Sequence, residues 1–131
     1  MGVHTKPKMA ELEITHLVQV YDTINELWGC EDAIIAGDFN ADCSYVTNEE
    51  YKEMRLIKDK RFKWLVNKEE DTTVSDSNCA YDRFVIVGKS IKKDLEPSSV
   101  GIFNFEKEYN LNRKQALLVS DHYPIHLQVE K

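Results

Sequence analysis

The sequence predicts an α/β domain whose buried strands end in polar groups. A continuous apolar run, residues 34–36, stops abruptly at Asp38 and Asn40, which is typical of a strand buried on both faces. A second apolar run, residues 84–87, is preceded by Asp82. Between residues 9 and 28 the apolar side chains recur at steps of three and four, the period of an amphipathic helix that covers a sheet.

The elements follow in chain order. Residues 3–5 are expected to end a strand, because Pro7 closes it. The helix over residues 9–28 is expected to end at Gly29, a residue suited to the C-cap. His16 lies within this helix and is expected at its surface.

The second half of the chain contains shorter elements. Thr47 and Glu50 have capping-box spacing and predict a short helix towards Met54. Residues 62–66 are expected to form a strand. Residues 102–105 and 111–119 indicate a packed turn and a short helix, and residues 125–129 alternate like a final strand with one solvated face, on which His126 lies.

Composition bounds the function classes. At 131 residues, 42% hydrophobic and 31% charged, the chain is expected to be one globular domain, residues 1–131. It contains no apolar run long enough to span a membrane, and its first residues lack the pattern of a signal peptide, so none is expected. A net charge of −6 argues against broad attraction to nucleic acid unless there is a local basic surface.

Asp38 and Asn40 are the first candidate ligands. In open α/β sheets, polar residues beyond the carboxyl end of a buried strand face the ligand crevice, where they could hold a metal or a phosphate. Gly37 is expected to let the backbone turn closely there. The alternative is a hydrogen-bonded turn, because Asp and Asn are common turn residues.

Three segments carry a family resemblance. Residues 37–46, 79–83 and 120–124 read GDFNADCSYV, CAYDR and SDHYP. Together they resemble deoxyribonuclease I and its relatives, within the endonuclease/exonuclease/phosphatase superfamily. The cysteines and their tyrosine neighbours narrow the resemblance to the deoxyribonuclease I branch. It covers nearly the whole chain but only the C-terminal half of the family.

The resemblance implies half of a four-layer αββα sandwich, that is, one mixed β-sheet with helices on one face. The strands at residues 34–36 and 84–87 are apolar on both faces, and the predicted helices can cover only one. An apolar sheet face is therefore expected to meet an N-terminal half-chain or a second copy of this chain.

The resemblance also implies a divalent-metal-dependent endodeoxyribonuclease that hydrolyses DNA phosphodiester bonds. The residues that would hold magnesium (Mg2+) or Mn2+ and the phosphate are Asp38, Asn40 and Asp121. His122 would be the base, oriented by Asp82, and His4 would be the acid. Without the resemblance, His4 would be taken for a surface histidine.

The cysteines and an acidic loop have implied roles as well. Cys43 and Cys79 match a family disulfide, which for a loop of this size would stabilise by roughly 3–4 kcal/mol and implies an oxidising, secretory compartment. Cys30 would be unpaired and buried as a small hydrophobe; from the residues alone, all three could be free buried thiols. The residues matching a structural Ca2+ site are Asp71, Thr73 and Ser77, although a solvated acidic loop is an equal alternative.

Three functions compete. The first is the endodeoxyribonuclease, incomplete as this chain alone, because the first half of the family supplies a metal-binding glutamate, a glutamate that orients the acid histidine, and most DNA contacts. The second is an inactive pseudonuclease that acts as a binding module. The third is a phosphoesterase of another branch of the superfamily, which the cysteine pair disfavours.

Overall fold

The computed structural model describes residues 1–130, whose six strands form two sheets. The strands are β1 (Gly2–His4), β2 (Ala33–Asp38), β3 (Phe62–Trp64), β4 (Asp82–Val87), β5 (Leu95–Ile102) and β6 (Ile125–Val129). The helices are α1 (Ala10–Trp28), α2 (Asn48–Glu53), α3 (Arg55–Lys58), α4 (Lys89–Asp94), α5 (Phe105–Glu108) and α6 (Arg113–Val119). None of the helices in residues 1–130 combines the length and apolarity needed to cross a membrane.

The larger sheet is mixed, as expected, with the strand order β1-β2-β4-β3. Strand β1 runs parallel to β2, whereas β4 runs antiparallel to both β2 and β3. Gly37 permits the close approach of β1, since a Cβ at this residue would lie 2.0 Å from the carbonyl oxygen of Val3. This glycine therefore serves strand packing.

Helix α1 covers one face of this sheet, and the main core lies between them. Ile14 and Val18 of α1 are fully buried against Ile35 of β2 and Val85 of β4. The helix ends at Gly29, which adopts the left-handed conformation (φ 66°) of a C-cap. The predicted helix and its stop signal are confirmed.

The face of the larger sheet opposite α1 is less exposed to solvent than the small number of predicted helices led us to expect. Ile86 is fully buried, and Ile34, Ala36 and Phe84 are half-buried. A face with these exposures can still pack against a partner, but over a smaller apolar area than was expected.

The C-terminal residues form a second, smaller sheet that the sequence analysis did not separate. Strands β5 and β6 pair antiparallel, and beside them lies a small core made of Val74, Phe105, Ala116 and Tyr123. Strand β5 was not predicted, because Pro97 and Gly101 interrupt any alternation.

The short elements agree with the sequence predictions only in part. The capping box of Thr47 and Glu50 is present at the start of α2, as predicted. The strand expected over residues 62–66 ends at Trp64. Helices α3 and α4, of four and six residues, were not predicted, since they are too short for a period of 3.6 to show.

Candidate active site

The ends of three neighbouring strands bring His4, Asp38 and Asp82 into one row. Asp38 pairs with Asp82 in the β2–β4 register, and His4 pairs with Asp38 in the β1–β2 register. The Nε2 atom of His4 lies 3.7 Å from Oδ2 of Asp38, with the His4 side chain 79% exposed. Sheet pairing thus assembles residues that are far apart in sequence.

His122 joins this row through a short hydrogen bond. Its Nδ1 lies 2.6 Å from Oδ2 of Asp82, and its backbone N–H donates to the Ser120 hydroxyl over 3.0 Å. The bond to Asp82 raises the pKa of His122 above its usual value, helped by the charges of Asp38 and Asp121 and opposed by burial. With Nδ1 held by a carboxylate, Nε2 is the nitrogen left for proton transfer.

Asp38 is held as a partly buried carboxylate. Burial raises its pKa above the usual range, and the nearby charge of Asp82 adds to this. The N–H of Asn40, which donates to Oδ1 over 2.8 Å, and the rings of His122 and His4 oppose the rise. Perturbed carboxylates of this kind concentrate at functional sites.

The three residues expected to hold a metal are only partly brought together. Asn40 is buried beside Asp38, and its side-chain N–H donates to the carbonyl of Thr5 over 3.0 Å. Asp121 is exposed next to His122. Their oxygens are the donors that Mg2+ prefers, but residues 1–130 gather no group of three His, Cys, Asp or Glu side chains for a metal ion. Coordination here would need water, phosphate or further ligands.

The structure contains one disulfide and one free cysteine among residues 1–130. Cys43 and Cys79 form a disulfide with a Cα–Cα distance of 5.8 Å. Cys30 is free but exposed, so its predicted burial was wrong. The reason is its place in the short connection between Gly29 and β2, after the helix has ended and before the sheet begins.

The loop expected to bind Ca2+ brings its three residues together. Oδ1 of Asp71 accepts from the backbone N–H of Thr73 (2.9 Å) and from the Thr73 hydroxyl (2.7 Å). The same oxygen accepts from the N–H of Cys79 over 3.2 Å. The Thr73 hydroxyl also lies 3.1 Å from the carbonyl of Ser77. The loop is thus organised by its own hydrogen bonds, around oxygens of the type that Ca2+ prefers.

Sequence reasoning missed several residues that support the site. The ring of Tyr81 stacks on His122 with centroids 6.0 Å apart, and Tyr45 packs on Tyr81 at 5.4 Å. Asp42 accepts from the N–H of Ala80 over 2.9 Å. Asp42 and Tyr45 lie in the segment 37–46, and Ala80 and Tyr81 lie in the segment 79–83. Both segments carry the family resemblance, so the sequence contained a signal for these residues, although it indicated no role for them.

Arg83 is an unexpected buried cation next to Asp82. It is fully buried and donates to the carbonyls of Ala80 (2.8 Å) and Val66 (2.6 Å). Its guanidinium lies over the rings of Tyr51 and Trp64. Burial lowers its pKa from the usual value. A cation tied to two loop carbonyls anchors the start of β4.

Comparison with known proteins shows similarity along almost the whole chain. The chain is 45% identical over 129 residues to deoxyribonuclease gamma of Homo sapiens, covering 98% of the chain and 42% of that protein. It is 41% identical over 128 residues to human deoxyribonuclease-1-like 2, covering 98% and 43%. It is 40% identical over 125 residues to deoxyribonuclease-1 of Bos taurus, covering 95% and 44%.

The chain therefore spans less than half the length of these curated relatives, which is consistent with the C-terminal half that the motifs indicated. No family model matches it. The identities, together with the α/β fold and its mixed sheet, show that the chain belongs to the deoxyribonuclease I family.

Proposed function

We propose that this chain carries the acid and base histidines, His4 and His122, of a divalent-metal-dependent endodeoxyribonuclease. The observation that supports the proposal best is the 2.6 Å hydrogen bond between Asp82 and His122, in a row that also contains Asp38 and His4. The deoxyribonuclease names of its relatives support DNA as the substrate.

In this proposal the imidazoles move protons. Asp82 holds Nδ1–H of His122, so that Nε2 can take a proton from the attacking water. His4, exposed at the end of β1, would give a proton to the leaving oxygen. Mg2+ or Mn2+, when bound, supplies charge neutralisation at the phosphate.

The oxygens of Asp38, Asn40 and Asp121 would hold that metal and the phosphate. The half-buried carboxylate of Asp38, whose pKa is raised by burial, is the strongest anchor of the set. A cation at this position would favour the charged form of Asp38 and relieve the cost of burying it.

We propose further that the chain alone is a poor nuclease. It spans about two fifths of its relatives, and the family resemblance assigns a metal-binding glutamate and most DNA contacts to the other part. The half-buried face of Ile34, Ala36 and Phe84 is where an N-terminal half-chain, or a second copy, would pack sheet on sheet.

Two further assignments rest on the loop and the disulfide. We propose that the loop of Asp71, Thr73 and Ser77 binds a structural Ca2+, because its carboxylate, hydroxyl and carbonyl oxygens already converge. The Cys43–Cys79 disulfide supports a secretory, oxidising compartment.

Plasmid nicking in Mg2+ and Ca2+ tests the function. The chain is assayed alone and with an N-terminal half supplied separately. Under the active condition, His122→Ala and Asp38→Ala should each slow nicking about 10²- to 10⁴-fold, because a base or a metal ligand is lost. His16→Ala is the matched control, since His16 is exposed on α1. Equal losses in all three variants would refute the assignment.

The inactive alternative, a pseudonuclease that binds a partner, is supported by the incomplete metal set in residues 1–130. It predicts that the N-terminal half binds this chain but that no nicking appears. Calorimetry of the pairing, run beside the nicking assay, separates the two functions.

A further inference from the structure

We infer that Thr72 is the positioning residue that holds Asp82 and His122 in place relative to each other. This inference rests on the proposed function, because it gives Thr72 a role only if that pair works. Thr72 is fully buried, outside the strands and helices. It lies between the start of β4 and the segment that carries His122.

The hydroxyl of Thr72 holds the Asp82 side of the pair. It accepts from the N–H groups of Tyr81 (3.0 Å) and Asp82 (3.1 Å), and it lies 3.3 Å from the carbonyl of Cys79, to which it donates. A hydroxyl has one donor and two acceptor positions, so these three contacts use its full capacity. They set the backbone from which the Asp82 carboxylate projects.

The backbone of Thr72 and the next two residues holds the His122 side. The carbonyl of Thr72 accepts from the N–H of Tyr123 over 2.8 Å, and the N–H of Val74 donates to the carbonyl of Asp121 over 2.8 Å. Between them, Thr73 forms an isolated bridge with His122. Both neighbours of the catalytic imidazole are thus tied to residues 72–74.

The other supports of this loop do not make the same connection. Asp42 reaches the N–H of Ala80, and the disulfide reaches Cys79, but both act from the Cys43 side. The Asp71 carboxylate and the Thr72 N–H also bind this loop, but at Cys79. Among the contacts of residues 1–130, only the Thr72 hydroxyl binds the Asp82 N–H from the segment that also binds the backbone around His122. The methyl group of valine would keep the shape of threonine and leave two amide groups without their acceptor.

NMR spectroscopy of the isotope-labelled chain tests this inference without requiring nuclease activity. Ring ¹⁵N shifts are recorded at the alkaline end of the His122 titration, where the imidazole is neutral, and they report whether Nδ1 carries the proton. In Thr72→Val we expect the Nδ1–H form to lose its dominance and the Tyr81 and Asp82 amides to exchange about tenfold faster. Thr72→Ser should restore both signals.

Ser99→Ala is the matched control. Its hydroxyl also ties backbone groups, accepting from Gln128 N–H over 2.7 Å and donating to the Glu96 carbonyl over 2.6 Å, but in the smaller sheet. It should leave the His122 and Asp82 signals unchanged. An unchanged His122 ring in Thr72→Val, or no rescue by serine, would overturn the inference.

Two further measurements cover the case of an unfolded variant and the case in which the proposed function fails. If Thr72→Val does not fold, the unmodified chain is measured: the Tyr81 and Asp82 amides should exchange as slowly as that of Val85 in the central strand β4, and exchange at the rate of exposed loops would overturn the inference. Failure of the proposed function has a different signature. With the N-terminal half supplied and nicking detectable, His122→Ala would then nick DNA as fast as the unmodified chain does, whatever the ring signals of Thr72→Val show.

Discussion

The two cores of this chain differ in size, and the candidate active site straddles them. Among residues 1–130 the main core contains thirteen buried residues, whereas the small core contains four. Asp38 and Asp82 stand on the sheet of the main core. His122 stands directly before Tyr123 of the small core. Local stability depends on the number of buried apolar contacts. The position of His122 relative to Asp82 therefore depends on how stably the small core packs.

Truncation of one residue in each core should produce the largest effects. Ile35→Ala is expected to destabilise the protein by about 2–5 kcal/mol and Phe105→Ala by about 3–5 kcal/mol. Ile35 is fully buried in the main core and Phe105 is 5% exposed in the small core. Native-state amide exchange should show faster opening of α1 and α6 in the first variant, but of α6 alone in the second.

The exchange rates of α1 and α6 in Phe105→Ala show whether the two cores unfold separately. If Phe105→Ala accelerates exchange in α1 as much as in α6, the two cores unfold together and form one cooperative unit.

Removal of the disulfide is the next largest change. Cys43 and Cys79 are 36 residues apart, and replacing both by alanine should cost roughly 3–4 kcal/mol on the loop-entropy account. Urea titration of the oxidised chain and of this variant measures the loss. Mass spectrometry of non-reduced peptides should find this bridge and Cys30 as a thiol. Cys30 in a major disulfide would contradict the structure.

Tyr123 should make the small core sensitive to alkali. Burial, with the hydrogen bond to Glu106, raises the pKa of Tyr123 from 10.0 to about 12. The unfolded chain then loses this proton first, so stability present below about pH 10 should fall by up to about 2 kcal/mol as the pH approaches 12. Urea titrations at neutral pH and at about pH 11 measure the loss. Tyr123→Phe should lack this part of the fall; the same fall in that variant would assign it to other groups.

Asp38 should show the smallest effect, and its substitution should stabilise the protein rather than destabilise it. Because burial raises its pKa, the charged form is disfavoured in the folded state, and stability is lost as the pH rises through the folded pKa. Asp38→Asn should therefore stabilise the protein at neutral pH, by less than the losses described above. A higher urea midpoint is expected. A lower midpoint would show that the charged carboxylate stabilises the folded state and would contradict this prediction.

Much of the fold was readable from local patterns. The helix over α1 with its stop at Gly29, the capping box at Thr47, and the strands β2, β4 and β6 are periodic or punctuated signals within one segment. Strand β5 and the short helices α3 and α4 have no such signal, because their conformation depends on what they pack against.

The family and the cysteine pair were also available in the sequence, since motifs at 37–46, 79–83 and 120–124 are local strings. The exposure of Cys30 was not, because burial depends on where the chain turns after a helix. Nor was the role we infer for Thr72. A threonine within an acidic stretch has no distinguishing sequence signal.

By itself, then, the sequence determined the element types around the site and the chemistry of its side chains. The family resemblance also implied that Asp82 orients His122. Only the tertiary structure decided the strand register and the distances at which these side chains meet. Asp38 faces Asp82 because β2 and β4 pair in one register, and His122 reaches Asp82 across 40 residues of sequence. Such contacts depend on strand register and loop closure, which are set by the packing of the whole chain rather than by any one segment.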